Sequence, residues 1–169
     1  TLRIEKISLR PEAEAYPAAL KAIGTAYVIV IGTGDLFTSL IANLIVKGIP
    51  EALQKTKAKI VYVLNLMTRP GQAYDFSASD HVAAIEKYIG KNCLDVVIVN
   101  SRAVPKRILE KYKDAHSKVV RDDLKEGYFQ IIRADVLSKE AVGKVEGDEL
   151  QRSFVRHDPD ALARIICKL

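Results

Sequence analysis

The sequence predicts an α/β fold, a three-layer sandwich on a mainly parallel, Rossmann-like sheet. Two observations carry that expectation. The segments Tyr27–Ile31, Ile60–Leu66 and Leu94–Val99 are rich in β-branched residues and nearly continuous in apolar character. Strands of that kind are covered on both faces. Between them run segments with apolar residues at three- and four-residue spacing, so strands and helices alternate as crossover connections require. At 169 residues the chain suits one domain, 1–169, with room for a substantial core.

Taken in order, Arg3–Leu9 sets Ile4 and Ile7 among charges and is predicted as a modest strand stopping at Arg10-Pro11. Tyr16, Ala19, Leu20 and Ile23 share a helical face, which predicts a short helix over 15–23 closed by Gly24. Tyr27–Ile31 follows as a central strand. A helix over 39–46 comes next, capped by Thr38 or Ser39 and stopped at Gly48, and Pro50 opens another over 50–55. Ile60–Leu66 is the second buried strand, and the polar stretch 65–80 beyond it stands where open α/β sheets hold ligands. Ser79 is predicted to cap an amphipathic helix with Val82, Ile85 and Ile89 on one face and Gly90 at its end. Leu94–Val99 is the third buried strand, followed by a helix over 105–112 and short strands over 117–120 and 128–133. The charged stretch 138–152 reads as a loop or exposed hairpin, and 154–156 as a last short strand. Asp158 then caps and Pro159 opens a helix that turns Leu162, Ile165, Ile166 and Leu169 inward.

Composition narrows the function classes. With 49% hydrophobic residues and a mean hydropathy of +0.03, the chain is expected to fold in water. No apolar run approaches the roughly 18 residues of a membrane helix, and Thr1-Leu-Arg-Ile-Glu5 lacks the layout of a signal peptide, so a cytoplasmic setting is expected. Cys93 and Cys167 lie far apart without CxxC spacing and read as reduced thiols. The net charge is +5, from 26 Lys and Arg against 21 Asp and Glu. These charges are scattered: Lys106, Arg107 and Lys111 share their helix with Glu110, as on a solvated face, so no nucleic-acid partner is expected.

One segment concentrates the candidate chemistry. After Ile31, Gly32 and Gly34 permit a sharp turn, and the helix start at Thr38 and Ser39 would aim unpaired N–H groups at an anion. An ordinary strand-to-helix turn accounts for the same residues, because neither Gly-x-Gly-x-x-Gly nor the lysine of a P-loop is present. Asp35 would repel a phosphate there unless a metal or a ribose hydroxyl is its partner.

Five ordered motifs go further: Gly32-Thr-Gly-Asp-Leu-Phe-Thr-Ser39, Asn43-Leu-Ile-Val-Lys-Gly-Ile49, Asn65-Leu-Met-Thr-Arg-Pro-Gly71, Ser79-Asp-His81 and Arg156-His-Asp158. In order and spacing they resemble the YvcK-type gluconeogenesis factors, relatives of 2-phospho-L-lactate transferase (CofD), over almost the whole chain. Family members usually begin with a Gly-Gly-Gly-Thr-Gly strand-turn that this sequence lacks. The resemblance therefore implies the carboxyl-terminal portion of a longer CofD-like protein. Departures are Thr33 for a proline, Asp35 for a serine, Phe37 for a tyrosine, Gln72-Ala73 for Glu-Thr, and Pro159 where some relatives carry a phosphorylatable threonine.

The resemblance implies a nucleotide-sugar ligand, a UDP-sugar in the regulatory branch, bound across the cleft at the strand ends. It implies a non-catalytic regulator of carbon metabolism and cell-wall supply, related to cell shape, with a homodimer left open. Ligand-binding candidates are Gly32, Gly34, Asp35, Thr38, Ser39, Asn65, Thr68, Arg69, Tyr112 and Arg156; no catalytic residue and no metal ligand are assigned. Arg156 can grip a diphosphate through two parallel donors, or bridge to Asp158. Tyr112 can stack on a uracil or pack on its neighbours. Asn65, Thr68 and Arg69 can bond a sugar or phosphate, or hold their own loop together. His81 reads as a neighbour of the helix cap rather than a base. The alternative is an enzyme moving a phospholactyl group from a nucleotide to a flavin-like acceptor; only that reading calls for magnesium, with Asp35 and Asp80 as candidate holders.

Overall fold

The structure, a computed structural model, describes residues 4–113, 116–139 and 154–169. Its centre is a parallel four-stranded sheet in the order β1 (Val28–Ile31), β2 (Lys59–Val63), β3 (Val96–Asn100), β4 (Gln130–Ala134). Helix α1 (Pro17–Thr25) precedes β1, and α2 (Ala42–Leu44) and α3 (Ile49–Lys55) lead to β2. Helix α4 (Ala78–Ile89) crosses from β2 to β3, α5 (Lys106–Lys113) follows β3, and α6 (Pro159–Ile166) closes the chain. The expected α/β architecture is thus present.

Two cores flank the sheet. On one face Ile31, Tyr62 and Val97 meet Ile41, Leu53, Ile85 and Ile89 from the helices between the strands. On the other, Val61, Val63, Val96 and Ile98 meet Leu162, Ile165, Ile166 and Leu169 at α6, which makes the three layers. Full burial of an aliphatic side chain contributes about 1.5–3 kcal/mol, so these two faces supply most of the drive to fold.

Asp95 ties three strands where β3 begins. Its carboxylate accepts from Ile60 N at 2.7 Å, its N–H donates to Ile60 O at 2.9 Å, and its carbonyl accepts from Gln130 N at 2.8 Å. Register is therefore set at the amino ends of the strands.

Several expectations are corrected. β1 is an edge strand of this sheet rather than a central one: among the described residues it pairs only with β2, and Val30 is 42% exposed. An unbroken apolar run marks a strand that can be covered on both sides; here the described neighbours cover one edge. Residues 4–9 form no strand. Helix onset after β1 falls earlier than expected, as a π-helical turn at Leu36–Ile41 running into α2, because Leu36 and Phe37 are both buried and draw the backbone inward. Thr38 and Ser39 therefore lie inside that turn and cap nothing.

The cap of α4 is Ser77, not Ser79. Ser77 and Asp80 form a reciprocal capping box, while Ser79 N–H and hydroxyl bind the Asp123 carboxylate at 2.9 and 2.8 Å. The expected strands at 117–120 and 154–156 reduce to single bridges, Met67 with Val119 and Leu137 with His157. Asp158 does cap α6, accepting from Ala161 N at 2.9 Å, and Pro159 opens it. Most of the predicted loop or hairpin at 138–152 lies outside the described residues.

Candidate functional site

A cavity of about 870 Å³ opens at the carboxyl ends of β1 and β2, within the range that holds a small-molecule ligand. Each strand of a parallel sheet delivers the loop that follows it to that end, which gathers polar residues from distant parts of the chain. The walls come from Thr33–Leu36 after β1, Asn65–Pro70 after β2, His81 on the first turn of α4, Tyr112 on α5, and Val155–His157 before α6.

The first wall is a fixed turn. Asn65 donates from Nδ2 to the Gly34 carbonyl at 2.7 Å and accepts from the buried Tyr62 hydroxyl at 3.0 Å, so β2 holds the turn after β1 in place. Gly34 is closely packed: a Cβ there would come within 3.1 Å of Ser39 Cβ and 3.4 Å of Leu40 Cδ2, so those side chains would have to give by a few tenths of an ångström. Gly32 stands in open space. Asp35 and Arg69 are bound to each other, with Nη1 2.8 and 2.7 Å from the two carboxylate oxygens. The repulsion expected between Asp35 and an anion is relieved by that guanidinium.

The second wall is framework. Thr68 is buried, its N–H donating to the Lys118 carbonyl at 2.7 Å and its hydroxyl accepting from Lys118 N at 2.9 Å. Tyr112 is also buried; its hydroxyl accepts from Val155 N at 3.2 Å and Phe154 meets its ring edge-to-face at 5.2 Å. Packing accounts for this tyrosine as it stands. Arg156 is exposed on the rim and, among the described residues, makes no ion pair; Asp158 caps α6 instead of pairing with it. Of the ten ligand candidates, seven line the cavity: Gly34, Asp35, Asn65, Thr68, Arg69, Tyr112 and Arg156. Gly32, Thr38 and Ser39 do not.

Two histidines belong to the site. His81 is 1% exposed, with Nδ1 2.9 Å from the Ser77 carbonyl and the edge of Phe76 against its ring at 5.6 Å. Burial lowers its pKa, against smaller opposing effects of the Ser77 bond and Asp80. Burial pushes His157 down to about 4, partly opposed by the neighbouring Leu64 backbone. Sequence reasoning used His157 only inside the Arg156-His-Asp158 motif. Among the described residues no three His, Cys, Asp or Glu side chains form a metal-binding group, and no helix is long and apolar enough to cross a membrane.

The family model for 2-phospho-L-lactate transferase CofD matches residues 1–139. Putative gluconeogenesis factors of Clostridium acetobutylicum and Thermotoga maritima are 43% and 38% identical over 96% and 97% of this chain, which corresponds to 35% and 50% of those proteins. The gluconeogenesis factor of Bacillus subtilis is 32% identical over 99% of this chain and 50% of its own. The crystal structure of protein BH3568 from Bacillus halodurans superposes with a TM-score of 0.84 at 29% identity, over 98% of this chain and 51% of that one. This chain thus spans about half the length of these relatives or less, and it belongs to the CofD family.

Proposed function

We propose that this chain is a nucleotide-sugar-binding regulator of the gluconeogenesis-factor type, its cavity forming one wall of the ligand site. The single observation that carries the reading is the exposed Arg156 guanidinium on the rim of an 870 Å³ cavity at the strand ends. A free planar fork of donors beside a pocket suits a diphosphate, which takes two parallel N–H bonds from it. The Gly34 turn, held by Asn65, supports this placement with backbone groups at the same end of the sheet. Regulation rather than catalysis is favoured by the state of the candidate side chains: Asp35 is engaged by Arg69, Thr68 by Lys118 and Tyr112 by Val155. None of them is poised against a base.

Calorimetry with UDP-glucose tests the reading. Binding that Arg156→Ala weakens by about 10- to 100-fold is expected, the loss of a charge-assisted bidentate contact. Unchanged affinity removes Arg156 from the site. The description of the matching family model favours a second reading, a phospholactyl transferase. It predicts magnesium-dependent turnover with a guanosine-nucleotide donor, and absence of product at saturating substrate rejects it.

A further inference from the structure

Two imidazoles lining the cavity each hold a buried nitrogen with no hydrogen-bond partner among the described residues. At His81, Nδ1 faces a backbone carbonyl at 2.9 Å. A carbonyl oxygen can only accept, so Nδ1 carries the proton and Nε2 holds a lone pair. That Nε2 is buried and without a hydrogen-bond partner among the described residues. At His157, Nε2 is likewise buried and without a hydrogen-bond partner among the described residues, on a ring whose burial favours the neutral form. Both rings line the same cavity.

Buried acceptors without donors are rare because each forfeits its bond to water and gains nothing in return. Two such atoms on rings that line one cavity, the tautomer at His81 fixed from behind by the main chain, point to a bound group that supplies donors. A cation is the first alternative, since a metal-bound histidine also donates its far nitrogen to a carbonyl. The described residues offer no third ligand of His, Cys, Asp or Glu type. The charged side chains lining the cavity are Asp35, Arg69 and Arg156, of which Asp35 and Arg69 are bound to each other. What remains is a neutral donor, and hydroxyl groups are the donors a sugar provides in number.

We infer that Nε2 of His81 and Nε2 of His157 accept hydrogen bonds from hydroxyl groups of a sugar-bearing ligand, with Arg156 on the rim for its phosphates. The inference rests on the reading above that this cavity takes a nucleotide-sugar. Burial lowers the pKa of both rings, so both lone pairs are available at neutral pH. On this assignment the histidines distinguish a nucleotide-sugar from the bare nucleotide: the phosphates meet arginine in either case, while the acceptors are satisfied only when the hydroxyls arrive.

Nitrogen-15 spectra of the histidine side chains decide it, with the exposed His116 as internal reference. In the free chain, His81 and His157 are expected as neutral Nδ1–H rings with unprotonated Nε2. UDP-glucose should move both Nε2 resonances toward hydrogen-bonded values, and UDP should leave them in place. His157→Phe should weaken UDP-glucose about 10- to 100-fold relative to UDP. His157 serves for this variant because it is less buried than His81. Equal responses to UDP and UDP-glucose, or Nε2 protonated in the free chain, overturn the inference while leaving nucleotide binding intact. Should neither nucleotide bind, the proposed function fails, and free glucose at high concentration then decides: an Nε2 shift sustains the sugar-reading pair, and no shift overturns it.

Discussion

β1 and β2 lie side by side, run parallel and share a β-branched apolar core, Val-Ile-Val-Ile against Lys-Ile-Val-Tyr-Val. Their fates differ. Ile60 through Val63 are at most 3% exposed, whereas Val30 is 42% exposed and Tyr27, just before β1, is 94% exposed. β2 has a strand on each edge and helices on each face; β1 has β2 on one edge and, on the α6 side, cover that reaches Val28 but leaves Val30 open. Apolar composition is therefore a property of a strand, and burial is a property of its neighbours. The first can be read without the second.

The comparison breaks or sharpens under four measurements. The largest effect is expected in the core of β2: Ile60→Ala should cost about 2–5 kcal/mol in urea unfolding, against about 1 kcal/mol for the half-buried Ile29→Ala in β1. Equal losses would mean that β1 is covered in solution, and a dependence on protein concentration would then identify the cover as a second copy.

The next effect is on pH, at the buried His157 in the cavity wall. The folded pKa of His157, about 4, lies below the ordinary 6.5. Between these values the unfolded chain binds more protons than the folded one. Stability is therefore full above about pH 6.5 and falls as pH drops toward 4, by on the order of 2–3 kcal/mol. His81 acts in the same direction. Denaturation across that window should show a slope that His157→Asn reduces; a variant with the same slope would contradict the assignment.

Third, Asn65→Ala leaves the buried Tyr62 hydroxyl and the Gly34 carbonyl without partners and should cost about 1–3 kcal/mol. Because this link joins the two strands at the cavity, amide exchange should rise in the turn at 32–35 more than in β3. Uniform exchange would deny that β2 holds the turn. The smallest effect belongs to the open surface of β1: Val30→Thr should change stability by no more than about 0.5 kcal/mol, and a loss above that would again mean hidden cover.

Much of the fold was legible because periodicity and punctuation agree along the chain. Val82, Ile85 and Ile89 announced the buried face of α4, and Asp158-Pro159 announced the start of α6. What was illegible depended on contacts distant in sequence. Ser77 and Ser79 are equivalent as caps in one dimension; only the arrival of Asp123 beside Ser79 leaves the cap to Ser77. The onset at Leu36 was set by burial of Leu36 and Phe37, which overrides the preference of Thr38 and Ser39 for a cap. At the site, the spacing of the motifs brought seven candidates to one cavity, but their partners were out of reach of the sequence. Asp35 with Arg69 is a pairing across 34 positions, and the Nε2 atoms of the two histidines, unpartnered among the described residues, appear only once the chain has closed around them.

Asp95 carries a consequence for how such a scaffold can change. Because one residue holds β2, β3 and β4 together at their amino ends, the opposite ends of the strands are released from that duty. Loops there can lengthen, shorten or exchange residues without moving the strands beneath them. Variation and support are thus assigned to opposite ends of the sheet, which is the condition under which one framework can come to serve different ligands.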